Sequence, residues 1–122
     1  MVSRIALLAA LAATVAAPAF AQAPLAGDPE RGSKLFSQRC TTCHVNSEMG
    51  PKYRGLIGRK AGTVPGFDYS RALQEKGVVW IEETLERWLS NPDAFVPGNL
   101  MGFRIRDPQE RADIIAYLKT RV

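Results

Sequence analysis

Side chains that hold metals or carry nucleophilic chemistry are scarce in this sequence: its 122 residues include one histidine, His44, and two cysteines, Cys40 and Cys43. A zinc centre built from the usual soft four-ligand set is therefore one ligand short. No block of basic residues exists either. The net charge of +4 is spread along the chain, whereas nucleic-acid binding concentrates lysine and arginine on one face. That excludes nucleic acid as a partner and permits a weakly basic patch facing an acidic protein. No segment sustains the alternation of a half-buried strand, so the chain reads as all-α. No apolar run reaches the ~20 residues that a spanning helix needs.

The longest apolar run lies at the start. Arg4 is the only charge in residues 1–21, and Ile5 to Ala17 is apolar apart from Thr14. Pro18 breaks the run, and Ala19-Phe20-Ala21 puts small residues where signal peptidase reads. A basic start, a short apolar stretch and an A-x-A exit predict a secretory signal over 1–21, cleaved after Ala21, with Ala21-Gln22-Ala23 as the second option. The folded domain is then 22–122 and its compartment the periplasm. A domain of roughly a hundred residues buries only a modest core of its own, so a large buried cofactor would supply missing apolar contact.

Local signals divide that domain. Asp28-Pro29-Glu30 is an N-cap, a proline at N1 and a first-turn acid, starting a helix to about Arg39 with Gly32 one turn before Phe36. Glycine weakens a helix, so a close helix crossing is the expected compensation. Val45 to Gly66 is punctuated by glycine and proline, a long loop of the kind compact domains keep when it wraps something. Ser70 caps a short helix ending at Gly77. Ile81 to Ser90 is helical by pattern, with Ile81, Leu85, Trp88 and Leu89 on one side, and Asn91-Pro92 ends it. Phe95 to Arg106 is irregular. Asp107-Pro108-Gln109-Glu110 opens the last helix with a capping-box pattern, and Ile114, Ile115, Tyr117 and Leu118 form its buried face.

The two cysteines and the histidine form one motif, Cys40-Thr41-Thr42-Cys43-His44. Cys-x-x-Cys-His is a haem c attachment signature. Thiols three residues apart lie on one side of a helical turn, so each can add to one of two neighbouring vinyl groups, and His44 then meets the iron from one face. A thioredoxin-like redox pair needs a βαβ unit, and none is visible. A plain disulfide across two residues leaves His44 without a role. The sixth iron position wants a further ligand. With no other histidine or cysteine, thioether is the natural candidate. Met1 leaves with the signal, and Met49, five residues beyond His44, is tied to the same side of the ring. Met101 remains, in Val96-Pro97-Gly98-Asn99-Leu100-Met101-Gly102-Phe103.

The ordered motifs resemble the class I c-type cytochromes, specifically the soluble mitochondrial and bacterial branch. Besides CTTCH they are GSKLF from Gly32, GPKYRGLIGRKAG from Gly50, PGFDYS from Pro65, GVVW ending at Trp80, SNP at Ser90, PGNLM ending at Met101 and AYLK from Ala116. The resemblance implies a small all-α cytochrome c fold whose first and last helices cross, with long loops wrapping one covalent haem c. It implies that Pro51 offers its carbonyl to the His44 ring N–H. It also places Arg59 near the inner propionate, has Tyr69 and Trp80 hydrogen-bond to propionate oxygens, lays Phe103 over the haem, and brings Gly32 and Phe36 against Tyr117.

The implied function is that of a monomeric electron carrier, not an enzyme, in a respiratory or related periplasmic chain. It would dock transiently on redox proteins, peripheral membrane complexes included, and Lys52, Arg54, Lys60 and Arg104 are candidates for the docking rim. Two alternatives share the site: a haem enzyme or gas binder with a labile Met101, and a fixed haem subunit of a larger oxidoreductase.

Departures from the branch cluster on the methionine side. Leu73 and Trp88 stand where it has asparagine and tyrosine, Leu100 where it has lysine, and Asn99 where it has threonine. The loop between His44 and Gly50 is also trimmed. A less polar pocket disfavours the more charged oxidised iron. The potential is therefore expected to lie at or above that of a Leu73→Asn, Trp88→Tyr variant.

Overall fold

The computed structural model describes residues 23–122; the expected signal segment and its cleavage site after Ala21 lie outside the described residues. Among the described residues six helices follow one another: α1 (Pro29–Arg39), α2 (Thr41–His44), α3 (Arg71–Lys76), α4 (Glu82–Ser90), α5 (Pro92–Phe95) and α6 (Pro108–Lys119). Among the described residues the only β pairing is an isolated bridge between Lys60 and Val79. No helix there is long and apolar enough to cross a membrane.

α1 begins as its sequence predicts. The Asp28 carboxylate accepts from the Glu30 and Arg31 N–H groups, behind Pro29 at N1. α3 likewise starts at Ser70, whose hydroxyl accepts from Leu73 N–H, and closes at Gly77 in the left-handed conformation. Two expectations, the start of α4 and the capping box of α6, need correction, and a short helix joins them. α4 starts at Glu82, and Ile81 is its N-cap, 46 % exposed rather than on the buried side. There the Thr84 hydroxyl accepts from the Ile81 N–H at 2.9 Å. Asn91-Pro92 ends α4 but at once starts α5, because the Asn91 carboxamide accepts from Ala94 N–H. The capping box of α6 is only half made. Asp107 accepts from the Gln109 and Glu110 N–H groups, but the Glu110 carboxylate turns to Arg39 of α1, at 2.6 and 2.9 Å.

α1 and α6 cross in the broadest helix–helix contact among the described residues. Gly32 is buried in the crossing, where a Cβ would fall on the Asp113 carbonyl oxygen and 2.9 Å from Tyr117 Cβ. Phe36 stacks beside Tyr117 with ring centroids 5.3 Å apart. The buried hydrophobic cluster includes Phe36, Leu85, Trp88, Leu89, Ile105, Ile114, Ile115 and Leu118.

α6 also buries two charged residues that its apolar pattern conceals. Arg111 reaches the Ile105 and Arg106 carbonyls at 2.8 Å and pairs with Glu86 at 2.6 Å. Asp113, 3 % exposed, accepts from Arg31 Nε and from the Asp28 N–H at 2.8 Å, and from Arg31 Nη2 and Gln109 at 3.0 Å. These donors, the Arg31 guanidinium foremost, hold the Asp113 carboxyl at about 2, below its ordinary 3.8. A group whose folded pKa is depressed stabilises the fold above its unfolded pKa, and that contribution fades as pH falls toward the folded value. Asp113→Asn should therefore cost about 2 kcal/mol at neutral pH, the scale of hydrogen bonds to a charged group. It should also flatten the acid limb of stability between 3.8 and about 2. Thermal melts of both proteins over that range check this; equal slopes would contradict it.

Candidate haem site

α2 carries the Cys-x-x-Cys-His motif, with Cys40 as its N-cap and His44 as its last residue. The two cysteines are not paired with each other. Cys40 lies against apolar neighbours, and its burial pushes the thiol up to about 11, far from the activated thiolate of a redox dithiol.

His44 has one defined ring orientation. Its Nδ1 lies 2.8 Å from the Pro51 carbonyl oxygen, so Nδ1 carries the proton and Nε2 is left with its lone pair. Gly50 makes this approach possible: a Cβ there would stand 2.7 Å from Nδ1 and 2.8 Å from Cε1 of the same ring.

Two adjoining recesses open beside this histidine. The inner one, ≈ 670 Å³ including the open space at its mouth, is lined by Phe36, Tyr53, Leu56, Arg59, Trp80, Leu85, Leu89, Ile114 and Leu118. The outer, ≈ 970 Å³ on the same measure, adds Cys43, Met49, Gly50, Phe67, Leu100 and Phe103. Cys40, His44, Pro51, Tyr69, Leu73, Trp88 and Met101 line both. The recesses form one slot with both thiols, the free imidazole nitrogen and a thioether on its walls. Its walls are mainly apolar, with Lys52 and Arg59 in the inner recess and Arg39, Asp68 and Ser70 in the outer as their charged and polar members, and its size suits a flat macrocycle.

Every residue expected at the site lines this slot: Cys40, Cys43, His44, Pro51, Arg59, Tyr69, Trp80 and Met101. The polar ones are partly committed to the protein. Arg59 donates to the Arg54 and Lys52 carbonyls at 2.9 Å, bracing the loop it closes. The Tyr69 hydroxyl accepts from Val64 N–H at 3.2 Å, which leaves its own proton to donate elsewhere. Trp80 is fixed through its backbone, donating to Arg59 O at 2.9 Å and accepting from Gly58 N–H at 2.7 Å. Leu73 and Trp88 are both buried, and Trp88 stands edge-on to Trp80 at 5.4 Å. Phe103 lines the outer recess together with Met101 and is 42 % exposed, while Leu85, Leu89, Ile114 and Leu118 floor the inner recess.

Sequence reasoning passed over two contributors. Tyr53 lines the inner recess with its hydroxyl 3.4 Å from that of Tyr117; nothing in a loop tyrosine signals this. The backbone contact of Gly50 with His44 is legible only once the histidine has a partner.

The fold and slot define a class of protein, and comparison with known proteins defines it further. The family described as Cytochrome c matches residues 29–121. A cytochrome c type-1 from Ascaris suum is 50% identical over 98 residues, covering 76% of this chain and 88% of that protein. A cytochrome c2 from Rhodomicrobium vannielii is 44% identical over 107 residues, covering 83% and 85%. The solved structure of cytochrome cH from Methylobacterium extorquens superposes with a TM-score of 0.71 at 42% identity, covering 77% of this chain and 99% of that one.

The chain belongs to the cytochrome c family, among the class I c-type cytochromes with their all-α fold. It carries a single covalently bound haem c. Members of this family are electron carriers that work with redox partners.

Proposed function

We propose that this chain is an exported, periplasmic carrier of single electrons, with Cys40 and Cys43 bonded to the haem and His44 and Met101 as the axial ligands. One observation carries the reading: both thiols, an imidazole turned by Pro51 and the Met101 side chain share the walls of one apolar slot. The compartment rests on the basic, apolar, A-x-A pattern of residues 1–21, and a bacterial cytochrome c2 among the relatives is in keeping with it.

The haem supplies a one-electron couple at its iron; the remaining work belongs to the protein. Pro51 fixes the His44 tautomer and the orientation of its ring. Met101 offers a thioether, which favours the reduced state. Arg59, Tyr69 and Trp80 serve the propionates. Leu73, Trp80, Trp88 and Leu56 exclude water, so little solvent has to reorganise when the charge changes. Lys52, Arg54, Lys60 and Arg104, all exposed, form the rim that a partner meets. Small charged rims raise on-rates without tight binding, which suits a shuttle.

The test is an absorption spectrum and a mass measurement of the purified protein. A near-red band of ferric iron–methionine sulfur is expected, with pigment that acid acetone does not extract and a mass increased by one porphyrin. A missing band, with rapid carbon monoxide binding by the ferrous form, would point to a haem enzyme or gas binder.

The buried pair Leu73 and Trp88 should raise the potential. Leu73→Asn with Trp88→Tyr is expected to lower it by tens of millivolts, where ~59 mV is tenfold in a one-electron equilibrium. A redox titration that puts the variant clearly higher refutes this.

A further inference from the structure

The loop that carries Met101 has little apolar packing to hold it. Pro97, Gly98, Leu100, Gly102 and Phe103 are all exposed, Leu100 at 80 %. A thioether is a weak ligand, so its residence on the iron depends on how firmly the loop is fastened.

The fastening is the Asn99 carboxamide. Its Oδ1 accepts from the Met101 N–H at 2.8 Å. Its Nδ2 donates to the Val96 carbonyl and to Asp93 Oδ1, each at 3.0 Å. Val96 O also accepts from the Asn99 N–H at 3.1 Å, closing a turn with Pro97 and Gly98 at its centre and Gly98 at φ 89°, the pattern of a type II turn. One anchor is buried: Val96 is 1 % exposed, beside Phe95 at 8 %. The other, Asp93, is an exposed side chain on α5. Among side chains of this size only a primary amide offers two donors and one acceptor together. Serine, threonine and aspartate cannot satisfy all three partners at once.

We infer that Asn99 is a positioning residue for the iron ligand, its carboxamide tying the Met101 backbone to α5 and so setting how rarely the sulfur leaves the iron. This rests on the reading of Met101 as axial ligand. Asn99 touches no reacting atom, and its effect is exerted through the loop.

The test uses the full ferric haem protein with imidazole as the probe ligand, which enters only when the sulfur has left. Asn99→Ala should raise the limiting rate of imidazole binding at least tenfold, bleach the near-red band at a lower temperature, and speed hydrogen exchange at the Met101 amide. Asn99→Asp should be fast as well, because its carboxylate faces that of Asp93 without a donor. Adding Asp93→Asn reverses the direction of that hydrogen bond and should bring the rate back toward the original. A merely structural role would not show this recovery. An Asn99→Ala protein that binds imidazole at the unsubstituted rate overturns the proposal, as does a double variant no slower than Asn99→Asp. If the unsubstituted protein has no near-red band, the ligand assignment itself falls and takes this inference with it, whatever the variants do.

Discussion

Met101→Ala should abolish the near-red band, open the ferrous iron to rapid carbon monoxide binding and lower the midpoint potential by on the order of 0.2 V, a fraction of the ~0.8 V that axial ligands command. The direction follows from ligand chemistry: thioether sulfur favours ferrous iron, and water or hydroxide in its place does not. The fold should survive. Met101 lies in a loop between α5 and α6 and packs only at the edge of the core, so helix content and the α1–α6 crossing are expected to persist. Met49→Ala is the matching control. Met49 is 74 % exposed at the mouth of the slot, with its N–H donating to the Ser47 hydroxyl on the stretch just after His44. Removing it should leave spectrum and potential unchanged. A band that survives Met101→Ala and vanishes in Met49→Ala would reassign the sulfur.

Local features of the fold were legible because they are written in adjacent residues. Asp28-Pro29, Ser70 with Gly77, and Asp107-Pro108 each satisfy helix-end groups within a few positions, and such chemistry needs no tertiary information. The site was legible for a similar reason: the haem motif is five consecutive residues, and a chain with one histidine leaves few candidates for the second ligand. What escaped depends on distant partners. Asp113 looks like a solvated charge in sequence, yet Arg31, 82 positions away, makes it a buried acceptor. Glu110 fits a capping box until Arg39 competes for its carboxylate. Gly27, just before α1, abuts α6 at Ala112 and Ala116, a contact that no neighbouring residue announces. Asn99 reads as a replacement for threonine, whereas its carboxamide faces the loop backbone.

Gly32→Ala tests the crossing on which the slot floor depends, and its expected sign opposes helix propensity. In an exposed helix interior the change would stabilise by about 1 kcal/mol. Here the added methyl would fall on the Asp113 carbonyl oxygen and crowd Tyr117 Cβ at 2.9 Å. A flexible side chain could turn away, but a main-chain carbonyl inside α6 cannot, so α6 itself must move. That movement would loosen the Asp113 clasp, the Phe36–Tyr117 contact and the Ile114 and Leu118 floor. A loss of about 3 kcal/mol is expected, the upper range for overpacking a tight site, and in a domain this small it lowers the Tm by roughly 15 °C. Lys34→Ala, on the exposed side of α1, should stay within about 0.5 kcal/mol. If Gly32→Ala melted as high as Lys34→Ala, the helices would have room to spare, and the glycine would be there for some reason other than contact with α6.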